Sequence, residues 1–214
     1  MAISKVNFNS LNVTPTASKV LKFNSSNDGL EAGDVGGALV LLSTATASSS
    51  STISFTSGID STYKEYIFKF IDIHPSNDNA SFEFQCSIDG GSNYNLTITS
   101  TCFITDNYES GGSPQVGYYA ARDQAQGTSF QHFMRDIGNG NDESSSGYLH
   151  LFDPSSTTFV KHFTAECSLY YSGDAEFYYL YGGYFDTTSA INAIQFKMGV
   201  GNIDSGTIKM YGVT

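Results

Sequence analysis

Nine residues, Ser81-Phe82-Glu83-Phe84-Gln85-Cys86-Ser87-Ile88-Asp89, alternate apolar and polar at every step, which is the period of a pleated strand with one face toward a core. Phe82, Phe84, Cys86 and Ile88 fall on that face; Glu83, Gln85 and Ser87 fall on the other, which the pattern gives to water. After Asp89-Gly90-Gly91-Ser92-Asn93 the alternation resumes over residues 95–104. The two apolar faces agree when Ile88 lies opposite Leu96 and Cys86 opposite Ile98, so a hairpin with a Gly-rich turn is expected. Just upstream, Tyr66-Ile67-Phe68-Lys69-Phe70-Ile71-Asp72-Ile73 is apolar on nearly both faces. That run reads as a central strand, ended by Pro75 and a turn over 76–79.

The same period recurs down the chain. Ala38-Leu39-Val40-Leu41-Leu42 reads as a buried strand, the Ser/Thr tract over 43–51 as a strand edge and turn, and Thr52-Ile53-Ser54-Phe55-Thr56 as the next strand. Further strands are expected over 116–121, 128–137, 147–152, 159–171, 176–185, 191–198 and 206–213, with turns at 124–127 and 138–144. No stretch carries a sustained helical period, and many short strands joined by turns predict an all-β chain, an antiparallel β-sandwich of jelly-roll type. Residues 1–36 are rich in Asn, Ser, Thr and Gly and settle into no period, so they are expected to form an extended N-terminal arm before a body over 37–214. Within the arm, Val6 and Phe8, and Val20 and Phe23, mark two short segments able to add a strand to the body of this protein or to a neighbour and to bind there.

Charge narrows the partners. The 214-residue chain has 10 Lys plus Arg against 21 Asp plus Glu, a net charge of -11, and no basic cluster. Nucleic acid and an anionic membrane are therefore not expected partners. Met1-Ala2-Ile3-Ser4-Lys5 lacks a signal-peptide apolar core, and no apolar run is long enough to span a bilayer, so synthesis in a cytoplasm is expected. The hairpin register would set Cys102 opposite Phe82, four residues from the position facing Cys86 or about 13 Å along the strand, too far to bridge. Cys86, Cys102 and Cys167 read as small core residues, with a pairing to Cys167 or a metal as the alternative.

No residue set specifies a catalytic centre, a cofactor or a metal. His74, His132, His150 and His162 stand without a ligand partner at metal spacing, and the Ser-Gly pairs are turn chemistry without a nucleophile elbow. Asp136, Asn139, Asn141, Asp142 and Glu143 could offer oxygens to calcium, though not at EF-hand spacing; the alternative is a solvated loop. The aromatic run Phe177-Tyr178-Tyr179-Leu180-Tyr181-Gly182-Gly183-Tyr184-Phe185 has more apolar residues than one sheet face needs. It is open to three readings: a central strand covered on both faces, a subunit interface, or a sugar-stacking groove in which Tyr179, Tyr181 and Tyr184 bind.

Four segments, Ser54-Phe55-Thr56-Ser57-Gly58-Ile59-Asp60, Tyr66 through Pro75, Ser87-Ile88-Asp89-Gly90-Gly91-Ser92-Asn93-Tyr94 and Ser205-Gly206-Thr207-Ile208-Lys209-Met210-Tyr211-Gly212-Val213, resemble β-rich virion proteins of tailed bacteriophages, marine ones especially. The resemblance implies a non-enzymatic virion structural protein on the particle surface, a capsid decoration protein or short fibre assembled in the host cytoplasm. It also implies other virion proteins as partners and a homo-oligomer, a trimer being the usual arrangement. A receptor- or carbohydrate-binding module of a tail fibre, meeting host surface glycans, is the alternative.

Overall fold

The computed structural model describes residues 20–26, 28–33 and 38–214, which fall into two units. Among its described residues the first contains a hairpin, β1 (Val20–Phe23) and β2 (Leu30–Gly33), paired antiparallel with Val20 opposite Gly33 and Phe23 opposite Leu30. Val6 and Phe8 lie outside the described residues.

The second unit is all-β: β3 (Leu39–Thr46), β4 (Thr52–Phe55), β5 (Glu65–Pro75), β6 (Ala80–Ser87), β7 (Ile98–Tyr108), β8 (Gln115–Tyr118), β9 (Ala125–Gly127), β10 (Gln131–Ile137), β11 (Ser145–Phe152), β12 (Lys161–Tyr171), β13 (Ala175–Phe185), β14 (Ala193–Met198) and β15 (Ile203–Val213). The one helical element among the described residues is a 3-10 turn, Ala120–Arg122. All strand pairs are antiparallel. One ladder runs β3-β15-β5-β11-β12-β13-β7, with β8 and β9 along the far side of β7; the other runs β10-β6-β14-β4. A bridge between Ile137 of β10 and Tyr171 of β12 joins them, so the strands form one nearly closed, barrel-like sheet.

Phenylalanines fill the space it encloses. Phe196 of β14 lies 5.1 Å from Phe70 and 5.6 Å from Phe68 on β5, and Phe84 of β6 lies 5.3 Å from Phe163 of β12, ring centroid to ring centroid. Edge-on and tilted ring pairs on strands of the two ladders therefore pack the interior.

The central place of β5 between β15 and β11 agrees with its two-sided apolar pattern. The expected hairpin does not form. β6 pairs with β10 and β14, whereas β7 pairs with β13, β8 and β9. Cys86 lies opposite Ile194, Ile98 opposite Phe185, Cys102 opposite Tyr181, and Phe82 opposite Met134 and Met198. Ile88, assigned to the core, is 40% exposed.

The turn chemistry explains the difference. Asp89 accepts hydrogen bonds from Ser87 Oγ at 2.6 Å, Asn93 N at 2.9 Å and Asn93 Nδ2 at 2.7 Å, and these hold its carboxyl at about 2. Gly90 and Gly91 take φ of +73° and +90°, a backbone only glycine adopts without strain. The chain thus turns after Ser87, and residues 88–97 carry it from one ladder to the other instead of back along β6.

A second correction concerns the polar face of β6: Glu83, Gln85 and Ser87 are buried. Gln85 Nε2 donates to Leu96 O at 3.0 Å, Ser129 O at 3.1 Å and Thr128 O at 3.3 Å, while its Oε1 accepts from Cys86 N at 2.9 Å. One amide thereby ties two crossing loops onto the strand, and those loops exclude water. At the end of its ladder β3 is an edge strand with Leu39 and Leu41 exposed, where a buried strand was expected. The three cysteines are free and buried, in agreement with core residues, although the register that argued against a bridge is not the one present.

Candidate functional site

Position along β13 separates core from surface. Ala175, Phe177, Tyr179 and Tyr181 are buried, and Glu176, Tyr178 and Leu180 between them are exposed, because successive side chains in a strand leave opposite faces. Tyr179 and Tyr181 therefore do not offer a binding surface. Burial pushes both phenols up, and Tyr179 keeps its hydroxyl inside without a hydrogen-bond partner. Tyr184 is half-buried, its ring 5.9 Å from that of His162. Val20 and Phe23 are exposed on the hairpin, Phe23 at 70%. Of the three readings of the aromatic run, full cover on both faces is excluded by Tyr178 and Leu180.

The outward face assembles from separate strands. Tyr118 of β8 lies opposite Phe103 of β7, Phe103 opposite Leu180 of β13, Leu180 opposite Glu166 of β12 and Glu166 opposite Tyr148 of β11. One residue row thus crosses five strands on a single face. The next row holds Val116, Thr105 and Tyr178 in the same register. Val116 is 78% exposed, Tyr118 56%, Phe103 48% and Leu180 42%, and the Phe103 and Tyr118 rings meet edge to face at 5.6 Å.

Phenols organise the acid within this face. Tyr178 Oη donates to Glu166 Oε2 at 2.6 Å. Hydrogen bonds from Tyr148 and Tyr178 hold the Glu166 carboxyl below its ordinary value, and the same carboxylate pushes Tyr178 up to about 12. The surface is consequently an exposed apolar strip with the carboxylates of Glu166 and Glu176 at its border.

A pocket of about 350 Å³ adjoins it, lined by Arg122, Asp123, Gln124, Phe130, Gln131 and His132 among others. Tyr118 connects the two, its hydroxyl donating to Asp123 Oδ2. The 3-10 turn and β9 carry one wall and the start of β10 the other. Ser100 fastens them together: its Oγ donates to Gln131 Oε1 at 2.7 Å and accepts from Gln124 N at 2.9 Å. Gln131 Nε2 donates to Arg122 O at 2.9 Å. At the floor, His132 Nε2 lies 3.2 Å from the buried Glu83 Oε1, and Lys197 Nζ lies 3.6 Å from Glu83 Oε2 and 4.5 Å from the Phe130 ring centre. Burial holds His132 below its ordinary value against the opposing pull of Glu83.

The acidic loop folds on itself. Glu143 Oε2 accepts from Gly140 N at 2.5 Å and His74 Nε2 lies 3.1 Å from Gly140 O. Among the described residues no three His, Cys, Asp or Glu side chains converge as metal ligands. His150 Nδ1 lies 2.5 Å from Glu65 Oε1, a part-buried side-chain contact. Compared with known proteins, the chain matches no protein-family model, no curated protein and no solved structure.

Proposed function

We propose that the chain is a non-enzymatic structural protein of a bacteriophage virion, with its body a jelly-roll sandwich displayed on the particle as a capsid decoration protein or short fibre. In this reading residues 1–36 are the anchoring arm, and Val20 and Phe23 are among its apolar contacts. The observation that carries the reading is the outward row Tyr118, Phe103 and Leu180 with Val116 and Tyr178 beside it. Contiguous large apolar side chains on an exposed sheet face suit a protein neighbour, and copies of this chain are the neighbours proposed. Association through such a strip also offsets the mutual repulsion of subunits carrying -11 each.

A labelled full chain supplied during infection should be found in purified particles, and deleting residues 1–36 should abolish its incorporation while the body stays folded. Undiminished incorporation of the truncated chain would overturn the anchoring role. A second reading, a receptor- or carbohydrate-binding module, is favoured by the exposed rings of Phe103, Tyr118 and Tyr178, each able to stack against a sugar.

A further inference from the structure

The outward row that ends in Leu180, Phe103 and Tyr118 begins with two lysines. Tyr148 of β11 lies opposite Lys69 of β5, and Lys69 lies opposite Lys209 of β15. Both lysines leave the outward face, since the residues flanking them, Phe68, Phe70, Ile208 and Met210, are buried. Like charges set directly opposite on neighbouring strands destabilise a sheet. Nothing among the described residues offsets them. Lys22, Lys64 and Lys197 lie 3.4, 2.9 and 3.6 Å from a carboxylate oxygen, and the buried Lys161 donates to the Phe159 and Thr187 carbonyls. The Lys69 and Lys209 amines have neither kind of partner, and Lys69 Nζ lies 5.5 Å from the centre of the Tyr211 ring on β15.

On the other side of Tyr148 the same face carries the opposite deficit. Glu166 accepts from the Tyr178 hydroxyl at 2.6 Å and Glu176 from the Ser168 hydroxyl at 2.7 Å. Neither carboxylate is in an ion pair among the described residues, whose Lys and Arg pairs go elsewhere. Two strands separate Lys69 from Glu166, about 10 Å at the spacing of a sheet, with Tyr148 between them. One molecule therefore does not neutralise its own face, and a second copy can. Beside the lysines, Ile71 and Leu41 are 40% and 52% exposed, which gives the apolar strip of that copy a surface to cover. In a chain of net charge -11, two unpaired lysines side by side also form a local spot to which the acidic border of a neighbour is attracted.

From these observations we infer that Lys69 and Lys209 of one copy receive the Glu166 and Glu176 carboxylates of another. The inference rests on the reading that copies of this chain meet through the outward face, and it adds the charge pairing that orients them.

The test is sedimentation velocity on the full chain beside two charge-reversed variants, Lys69→Glu with Lys209→Glu, and Glu166→Lys with Glu176→Lys. The native chain should associate, and raising sodium chloride from about 50 to about 500 mM should weaken it by screening. Each variant alone should associate at least about tenfold more weakly, because like charges then meet. An equimolar mixture of the two should associate again, since each supplies the charge the other lacks. Thermal melts within a few degrees of native show that both variants fold; if the second melts early, Glu166→Gln with Glu176→Gln keeps the hydroxyl acceptors, removes the charge and should still weaken association. A native oligomer indifferent to both reversals, one broken by the lysine reversal alone, or a mixture that stays dissociated would overturn the pairing and leave association through the apolar strip standing. A native chain that is monomeric at every concentration would overturn both.

Discussion

Gln85→Leu tests how the second face of β6 is built. The native amide has two N–H protons facing three carbonyl oxygens, those of Leu96, Thr128 and Ser129, and one oxygen facing Cys86 N–H. Leucine fills nearly the same volume and supplies no donor. At least two carbonyls of the crossing loops then lose their partner in a site where Gln85 itself is fully buried. An orphaned buried group costs about 1–3 kcal/mol, so the substitution should destabilise by about 2–5 kcal/mol. In a chain of this size each kcal/mol moves the midpoint about 2–4 °C, which gives a fall in Tm of roughly 5–15 °C. Urea denaturation followed by circular dichroism should show a lower midpoint with an unchanged slope. Gln85→Glu should be worse near neutral pH, because it sets a carboxylate against carbonyl oxygens. Hydrogen exchange over residues 124–131 should rise in both variants. A loss below about 1 kcal/mol for Gln85→Leu, or a Glu variant as stable as the native chain, would refute the reasoning.

Other outcomes follow from the same contacts. Phe196→Ala removes a ring within 6.5 Å of Phe55, Phe68, Phe70, Phe82 and Phe84 and should cost about 3–5 kcal/mol in urea titrations; a cost under about 1 kcal/mol would contradict a packed aromatic core. Because His132 titrates below its ordinary value in the folded chain, the unfolded chain takes up its proton first as pH falls. Stability should therefore decline as pH falls below the ordinary imidazole range, and His132→Gln should flatten that part of the slope. An identical slope in the variant would contradict the burial argument. Burial raises the Cys86 and Cys167 thiols well above ordinary and Cys102 to about 11, so Ellman's reagent should leave the native chain unlabelled near pH 8 and titrate all three thiols in denaturant. Rapid labelling of the native chain would contradict it.

Local pattern made most strands legible, and long-range pairing decided what it could not. The two-sided apolar run of β5 marked a central strand, and the alternation Phe82, Phe84, Cys86 correctly named one core face of β6. Alternation cannot tell water from a buried carbonyl as the partner of a polar side chain, so Gln85 looked solvent-facing. The Gly90-Gly91 turn suggested a hairpin because a tight turn is the commonest link between alternating runs; the Asp89-centred bonds redirect the chain instead. In the run Phe177 to Phe185 nearly every side chain is aromatic or aliphatic, leaving no period to separate its faces. A shift of one residue divides Tyr178 from Tyr179, and only pairing with β7 and β12 fixes it. The outward row sets Phe103 and Tyr118 of two consecutive strands beside Leu180, far away in sequence and beyond the reach of any local window. The pocket left a fainter local mark: Arg122-Asp123-Gln124 and Gln131-His132 gather five polar or charged residues within a short span. Read as a turn over 124–127 followed by a strand over 128–137, that span gave no hint that Ser100 would tie Gln124 to Gln131.

The account depends most on the outward face of β7, β8 and β13 being a contact surface between copies of this chain. Sedimentation velocity on the full chain, beside Phe103→Asp combined with Leu180→Asp, tests it directly. Both positions are solvent-facing, at 48% and 42% exposure, so the paired substitution should leave the thermal midpoint within a few degrees while converting an oligomer to a monomer. An oligomer that persists with both aspartates in place, or a native chain that sediments as a monomer at every concentration, would contradict the claim.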